Sequence, residues 1–368
     1  MTQKPAEMNA AQRHDPKMRA AECAADGLVW HSPWEAPLRI EGLGWKLDGN
    51  IYRRMPFDPS LPKAVDDLAW HTSGVKVRFR TDSKRIVVRV KLRGAHSMDH
   101  MPATGQCGFD AYLGDGGSAM YAGTTRFDRS VASYQAPLCD FPTAAMRTAT
   151  IHFPLYQGVE ALSIGLDEGA CVETPPPRAW QRPVVVYGTS ITQGGCASRP
   201  GMSYPNILSR RLDCEFINLG FSGNGRGEPE VAQVIATLPA PALFISDYEA
   251  NCAGRLHETL PTFLGILRQA WPRTPMLVVS KVPYAREMFN EEVRAQRLER
   301  RDFQRALVDE LREAGDTAVA FFDGGDLLGG NFTECAVDGV HQTDLGFLRM
   351  ADSLEAVVRG MLQKSIDF

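Results

Sequence analysis

From residue 180 onward the sequence alternates between short apolar runs and longer amphipathic segments. The apolar runs have the length and the β-branched content of buried strands, and they fall near 183–187, 215–219, 242–246, 275–280 and 318–323. Helical periodicity follows each of them, near 202–212, 228–238, 256–271, 290–314 and 343–362. Five strands separated by helices predict a parallel sheet that is covered by helices on both faces.

The first half of the chain has a different pattern, with short strands, frequent turns and little helical periodicity. Residues 74–81 and 86–92 alternate apolar and basic side chains around a turn at 82–84. This pattern predicts a hairpin with one face in a core and the other in water. Further strands near 108–113 and 150–155 favour an all-β sandwich, similar to a jelly roll.

Four segments follow from this change in pattern. Residues 1–27 are polar and rich in alanine and are predicted to form an N-terminal tail. The predicted β-sandwich domain spans 28–172. A stiff proline-containing linker follows at 173–179, and the α/β domain spans 180–368.

The composition narrows the function classes. The net charge of −4 gives no basis for electrostatic binding of nucleic acid. Because no apolar run approaches the length of a membrane helix, we expect no membrane partner. The N-terminus lacks the apolar core of a secretory signal, and the eight cysteines form no C-x-x-C motif. We therefore expect free thiols and a cytoplasmic location.

The run V-V-V-Y-G-T-S-I-T, residues 184–192, places a serine just beyond the end of a strand. Open α/β sheets bind their ligands at the carboxyl ends of the strands, so Ser190 is a candidate nucleophile. The same residues are also compatible with an ordinary turn in which Ser190 or a neighbouring threonine caps a helix.

Near the end of the chain, Asp338 stands three residues before His341. In one helical turn the two side chains share a face. The carboxylate can accept a hydrogen bond from one imidazole nitrogen, which leaves the other nitrogen free to take a proton from a hydroxyl. The alternative is a surface loop in which the aspartate caps the last helix.

Two further polar segments each follow a predicted strand. The first, residues 216–225, is rich in glycine, serine and asparagine, and the N–H of Gly223 is a candidate donor to a developing oxyanion. The second ends at Asn251, whose side-chain amide can also donate. Each segment taken alone is more typical of a plain βα turn.

Taken in order along the chain, the four motifs that contain Ser190, Gly223, Asn251 and the pair Asp338 and His341 resemble those of the SGNH hydrolases. This superfamily is also called the GDSL esterases and lipases. The resemblance implies that Ser190 is the nucleophile and that His341 is the general base, oriented by Asp338. It also implies an oxyanion hole made by the Ser190 amide, the Gly223 amide and the Asn251 side chain. One residue departs from the family pattern, because Thr189 stands where the family usually has an aspartate.

The resemblance extends to the fold. It implies a flavodoxin-like, three-layer hydrolase domain with a parallel sheet over 180–368. Members with an N-terminal sandwich carry a G-x-D-x-Y motif, which Gly108, Asp110 and Tyr112 match. The expected architecture is therefore an α/β SGNH domain preceded by an all-β sandwich.

Two residues are candidate substrate contacts. His100 lies in a long polar loop, residues 94–101, which either covers a neighbouring site or lies in solvent. Arg199 follows the nucleophile block and either contacts a polar group of the substrate or is solvated. His96 and His100 have a spacing that suits a metal, but no third ligand joins them at a usable spacing, so we expect no metal and no cofactor.

The resemblance implies a serine esterase that removes a small acyl group, with acetyl favoured, from an alcohol through an acyl-enzyme. The expected partner is a small-molecule or oligosaccharide ester. A thioesterase, a general short-chain esterase, an acyl-transferring enzyme and a non-catalytic carbohydrate-binding protein are the alternatives. The sequence does not predict the oligomeric state.

Overall fold

The computed structural model of the protein describes residues 8–21, 26–252 and 254–364. Within the predicted N-terminal tail it shows one short helix, α1 (Ala10–His14). Residues 1–7 and 22–25 of the tail lie outside the described residues.

The first half of the chain forms two antiparallel sheets that enclose one apolar core. One sheet has the strand order β1-β9-β4-β7, and the other has the order β10-β3-β8-β5-β6, with β2 paired to β3. Two short helices, α2 (Lys63–Leu68) and α3 (Ala103–Gln106), interrupt the strands. The expected sandwich is confirmed. Its strands are β1 (Leu28–His31), β2 (Arg39–Glu41), β3 (Lys76–Thr81), β4 (Arg85–Leu92), β5 (Asp110–Leu113), β6 (Met120–Thr124), β7 (Ser133–Asp140), β8 (Arg147–His152), β9 (Val159–Asp167) and β10 (Val172–Glu173).

The predicted hairpin of residues 74–92 is wrong. β3 pairs with β8, β2 and β10, whereas β4 pairs with β7 and β9, so the two strands lie in opposite sheets. The turn between them carries the chain across the sandwich, and Asp167 of β9 fixes it. The Asp167 carboxylate accepts hydrogen bonds from the backbone N–H groups of Lys84 and Arg85, at 2.9 and 3.0 Å.

Two of the three basic side chains of β3, Lys76 and Arg78, are also not in water. Lys76 is fully buried, and its ammonium group donates to the Ser209 hydroxyl of the second domain at 2.8 Å. Arg78 is 2% exposed and pairs with Glu41 at 2.9 Å. The alternation of β3 therefore separates an apolar core from a polar interface between the two domains.

The second half of the chain forms a five-stranded parallel sheet of order β12-β11-β13-β14-β15, which confirms the expected flavodoxin-like α/β domain. Its strands are β11 (Trp180–Gly188), β12 (Cys214–Gly220), β13 (Leu243–Asp247), β14 (Met276–Val279) and β15 (Val319–Phe322). Its helices are α4 (Ser190–Gln193), α5 (Tyr204–Leu212), α6 (Pro229–Ile235), α7 (Leu256–Ala270), α8 (Glu291–Glu313) and α9 (Asp344–Lys364).

Strand β11 places the candidate site. Its alternate residues are buried in two different cores, Val184 and Val186 on one side of the sheet and Val185 and Tyr187 on the other. The chain leaves β11 toward β12 on one side and later returns to β13 on the other. The carboxyl end of β11 is thus the point where the strand order reverses, and such points form ligand crevices in open α/β sheets.

None of the described helices has the length and apolar character that a membrane-spanning helix needs. Seven cysteines lie among the described residues, and all seven are free thiols. Six of them are buried, and only Cys171 is exposed.

Candidate active site

Strand β11 passes into helix α4 through a tight turn that brings Ser190 to the carboxyl end of the parallel sheet. A side chain at Gly188 would lie 2.0 Å from the Thr192 hydroxyl, so only glycine fits there. The Thr189 hydroxyl accepts the N–H of Ile191 and caps α4, whose first residue is Ser190. Helix capping and a free serine hydroxyl therefore occur together, on adjacent residues.

The structure brings Ser190, His341 and Asp338 into one hydrogen-bonded line. The Ser190 Oγ lies 2.9 Å from His341 Nε2, and His341 Nδ1 lies 2.7 Å from Asp338 Oδ2. The second carboxylate oxygen of Asp338 accepts the backbone N–H groups of Val340 and His341, at 2.9 and 2.7 Å. Asp338 therefore holds both the ring of His341 and the turn that carries it.

The charge state of this line follows from its hydrogen bonds. Partial burial alone would raise the pKa of Asp338, but the donors on His341 and the two backbone N–H groups lower it to about 2. The carboxylate is therefore ionised at neutral pH and accepts the Nδ1–H of His341, so that Nε2 faces Ser190 as a base.

The two predicted oxyanion segments meet beside Ser190. The N–H of Phe221 donates to the Gly188 carbonyl at 3.0 Å, which holds the loop after β12 against the end of β11. The Asn251 side-chain amide donates to the Asn224 carbonyl of the same loop at 2.7 Å. Among the described residues, the Gly223 N–H has no hydrogen-bond acceptor. The oxyanion roles of Gly223 and Asn251 stay predictions, although both donors lie in this loop cluster.

A buried glutamine that sequence reasoning missed supports the loop after β12, which carries Gly223. Gln193, fully buried in α4, accepts the N–H of Ser222 at 2.9 Å and donates to the Leu155 carbonyl at 3.0 Å. The Ser73 hydroxyl of the sandwich domain donates to the Gln193 carbonyl at 2.6 Å. Its place three residues after Ser190 is the only signal that sequence offers for this role.

A buried arginine that the sequence also did not reveal braces strand β12. Arg54 is fully buried and donates to the carbonyls of Asn218 and Gly220, at 2.9 and 2.7 Å. It also donates to the carbonyls of Leu68 and His71, at 3.0 and 2.6 Å. Burial lowers its pKa to about 9. Carbonyl oxygens thus solvate this cation at the end of β12, where the loop that carries Gly223 begins.

The sandwich loop of residues 94–101 reaches the site through His100. The ring centroid of His100 lies 5.9 Å from that of His341, with the two rings edge to face. His100, Asp338 and His341 each place one possible ligand atom within 4.8 Å of the others, so this cluster could hold a metal ion. His96 does not belong to the cluster, because its Nε2 lies 3.0 Å from the Met101 carbonyl.

The second candidate substrate contact, Arg199, lies at the domain interface. Its Nη1 donates to Asp110 at 2.9 Å and to the Tyr112 hydroxyl at 2.6 Å. Asp110 and Tyr112 belong to the G-x-D-x-Y motif, so this motif contacts the segment that follows the nucleophile. The guanidinium thus already has protein partners, and its contact with substrate stays a prediction.

Comparisons with known proteins agree with this architecture. The profile of the GDSL-like lipase/acylhydrolase family matches residues 181–359, and the profile of the N-terminus of SGNH-hydrolase-type esterases, named for G-x-D-L-Y, matches residues 28–172. The chain belongs to the SGNH, or GDSL, hydrolase superfamily. This SGNH hydrolase is a carboxylic ester hydrolase with an N-terminal sandwich.

Solved structures share the two-domain plan. A protein described as a GDSL-like lipase from Bacteroides ovatus is 28% identical, with a TM-score of 0.83 over 91% of this chain and 98% of its own. A salicylyl-acyltransferase from a tetracycline biosynthetic pathway is 21% identical, with a TM-score of 0.74 over 92% and 99%. A family two carbohydrate esterase from Cellvibrio japonicus is 14% identical, with a TM-score of 0.58 over 91% and 98%. No curated protein sequence shows significant similarity.

Proposed function

We propose that this SGNH hydrolase removes a small acyl group, acetyl first, from a hydroxyl group of a carbohydrate. The observation that carries the ester chemistry is the line from Ser190 Oγ through His341 to Asp338, with separations of 2.9 and 2.7 Å. The preference for acetylated carbohydrate is supported by the fold shared with the Cellvibrio japonicus carbohydrate esterase and with an acetyl xylan esterase of Butyrivibrio proteoclasticus.

In the proposed reaction, the Ser190 Oγ attacks the ester carbonyl carbon while His341 Nε2 takes the hydroxyl proton. The N–H groups of Ser190 and Gly223 and the Asn251 amide stabilise the resulting oxyanion. His341 then returns the proton to the leaving alcohol as the C–O bond breaks, which leaves an acyl-serine. Water, activated by the same ring, attacks this acyl-enzyme and releases the carboxylic acid and free Ser190.

Acyl transfer is a second candidate. It is favoured by the high structural similarity of the salicylyl-acyltransferase, whose chain aligns over 92% of this one. The same acyl-enzyme serves both reactions, since an acceptor hydroxyl can replace water in the second step.

A panel of p-nitrophenyl acetate, butyrate and octanoate beside acetylated xylose and cello-oligosaccharides tests the proposal, with Ser190→Ala as the control. We expect the highest kcat/KM for acetyl esters and a fall of about 10⁴-fold or more in kcat for Ser190→Ala. A folded Ser190→Ala protein with near wild-type turnover would contradict the assigned nucleophile, and a preference for octanoate would contradict a small acyl group. Product analysis with added glycerol or xylose as acceptor separates hydrolysis from transfer.

A further inference from the structure

One short segment, Cys196–Gly201, links the sandwich to the stretch of chain that carries His341. On the hydrolase side, the N–H of Cys196 donates to the Gln342 carbonyl at 2.8 Å. The N–H of Ser198 donates to the Asp344 carboxylate at 2.8 Å, and the Ser198 hydroxyl also bonds to that carboxylate. The residues that directly follow His341 are thus fixed to this segment.

The sandwich holds the same segment from the opposite side. The Thr104 hydroxyl donates to the Ser198 carbonyl at 2.6 Å. The Asp110 carboxylate accepts the N–H of Gly201 at 2.8 Å and the Arg199 guanidinium at 2.9 Å. At Gly105 a side chain would lie 2.1 Å from the Ala197 carbonyl, so the two backbones touch.

The carboxylate at the centre of this contact is fully buried and charged. Burial alone would raise the pKa of Asp110, but the hydrogen bond from His152 at 3.0 Å and the positive charges of Arg199 and Arg210 lower it. Both oxygens of Asp110 have partners: Oδ1 bonds to His152, and Oδ2 accepts from Arg199 and from the N–H of Gly201. A buried network of charge-assisted hydrogen bonds rigidifies the groups that it joins.

We propose that Asp110 is a positioning residue for catalysis: through Arg199 and Gly201 it fixes the Cys196–Gly201 segment, which in turn holds His341 within hydrogen-bond reach of Ser190. The inference rests on the proposed roles of Ser190 and His341. It assigns the G-x-D-x-Y motif of the sandwich an effect on kcat, since a displacement of about 1 Å in a catalytic group is able to cost about 10²-fold in rate.

The test compares Asp110→Ala with Lys76→Met as a matched control. Lys76 is another buried interdomain contact of the same sandwich, bonded to Ser209, but it is not bonded to the Cys196–Gly201 segment. We expect Asp110→Ala to lower kcat about 10-fold or more with little change in KM. Its rate of Ser190 labelling by a fluorophosphonate should fall equally, since that reaction also needs His341. Lys76→Met should keep kcat and the labelling rate within about 2-fold of the wild-type values, even if its Tm falls as far as that of Asp110→Ala.

Thr104→Val provides a milder variant, because it removes only the hydrogen bond to the Ser198 carbonyl. It decides the question if Asp110→Ala does not fold, with an expected fall of about 2- to 5-fold in kcat and in labelling rate. Thr104→Ser, which keeps the hydroxyl, should restore both rates. A folded Asp110→Ala, or a Thr104→Val, that labels and turns over like the wild type overturns the proposal. An equal loss in Lys76→Met also overturns it, because that result reports general destabilisation. Failure of the proposed function is seen separately, as normal turnover in Ser190→Ala.

Discussion

Ser190 and Thr189 divide between them two tasks that the sequence presents as alternatives. The hydroxyl of Thr189 caps α4, and the hydroxyl of Ser190 is left to bond with His341. The residue that the family usually carries before the nucleophile is aspartate, and threonine offers the same kind of oxygen to a helix N-terminus. The substitution at position 189 is therefore compatible with the short helix that presents Ser190.

At the same scale, His100 gives the site a third possible metal ligand. We predict that Zn²⁺ inhibits the esterase reversibly, because imidazole and carboxylate groups are good zinc ligands. A His341 ring that binds zinc cannot take the proton of the Ser190 hydroxyl. Inhibition of p-nitrophenyl acetate hydrolysis should be reversed by EDTA. His100→Ala should raise the inhibiting Zn²⁺ concentration about 10-fold or more.

His96→Ala is the matched control for this experiment, since His96 lies in the same loop but outside the ligand cluster. It should keep the zinc sensitivity of the wild type. Equal zinc sensitivity in the wild type and in His100→Ala would show that His100 does not contribute to metal binding.

At the scale of elements, the turn after β13 carries Asn251, whose amide donates to the Asn224 carbonyl in the loop after β12. We predict that Asn251→Ala lowers kcat about 10²-fold with a smaller effect on KM, because its hydrogen bond to the oxyanion strengthens as charge develops. Steady-state kinetics on p-nitrophenyl acetate measure both constants. A rise in KM alone would mean that Asn251 binds the ground state and does not stabilise the oxyanion.

The end of β13 also contains a carboxyl group whose pKa is raised. Asp247 is partly buried and accepts the hydroxyls of Thr192 and Tyr204, at 2.9 and 2.8 Å. Burial raises its pKa from 3.8 to about 6, and the charge of Glu249 adds to the rise. Between these two pH values the folded state binds more protons than the unfolded state. The contribution of this group to the free energy of unfolding therefore falls as the pH rises through 6.

Asp247→Asn removes the ionised form. We therefore predict that the stability of this variant, relative to that of the wild type, increases when the pH is raised from 5 to 7.5. The gain should be about 1 kcal/mol in the free energy of unfolding, measured by urea denaturation at both pH values. An identical difference between variant and wild type at pH 5 and pH 7.5 would show that Asp247 does not titrate as described.

The hydrolase elements were predictable because their signals are local. Strand β11 and helix α9, for example, follow apolar runs and periodicity that need no knowledge of neighbours, and Asp338 stands close to His341 in sequence. The pairing of β3 and β4 was not predictable in this way, since a short turn joins strands of one sheet or of two facing sheets equally well. The partners of β3, strands β8 and β2, are distant in sequence.

Burial of charge was the second limit. The alternating basic residues of β3 predict a face in water, yet Lys76 bonds to Ser209 of the second domain and Arg78 is buried against Glu41. A single sequence does not distinguish water from a polar protein surface, because both suit a charged group that has a hydrogen-bond partner. Arg54, which is fully buried among backbone carbonyls, was missed for the same reason.

At the scale of the whole molecule, we expect the hydrolase domain to depend on the sandwich. We predict that residues 180–368 expressed alone are poorly soluble or much less active than the full chain, since the truncation removes Arg54 and Asp110 and exposes their partners. The loss in kcat/KM should be larger for an acetylated oligosaccharide than for p-nitrophenyl acetate, because we expect the larger ester to contact more of the loop of residues 94–101. A soluble truncation with unchanged kcat/KM on both esters would mean that the domains act independently.

The polar bonds across the domain boundary also constrain how such a protein can evolve. Lys76 meets a hydroxyl, Arg54 meets backbone carbonyls and Ser73 meets the Gln193 carbonyl, each in a fixed direction. A sandwich exchanged from another lineage at the linker would leave the partners of these groups in the hydrolase domain unpaired, unless its own side chains matched them one by one. Recombination at this linker should therefore be selected against, and the two halves should be inherited together as a single unit.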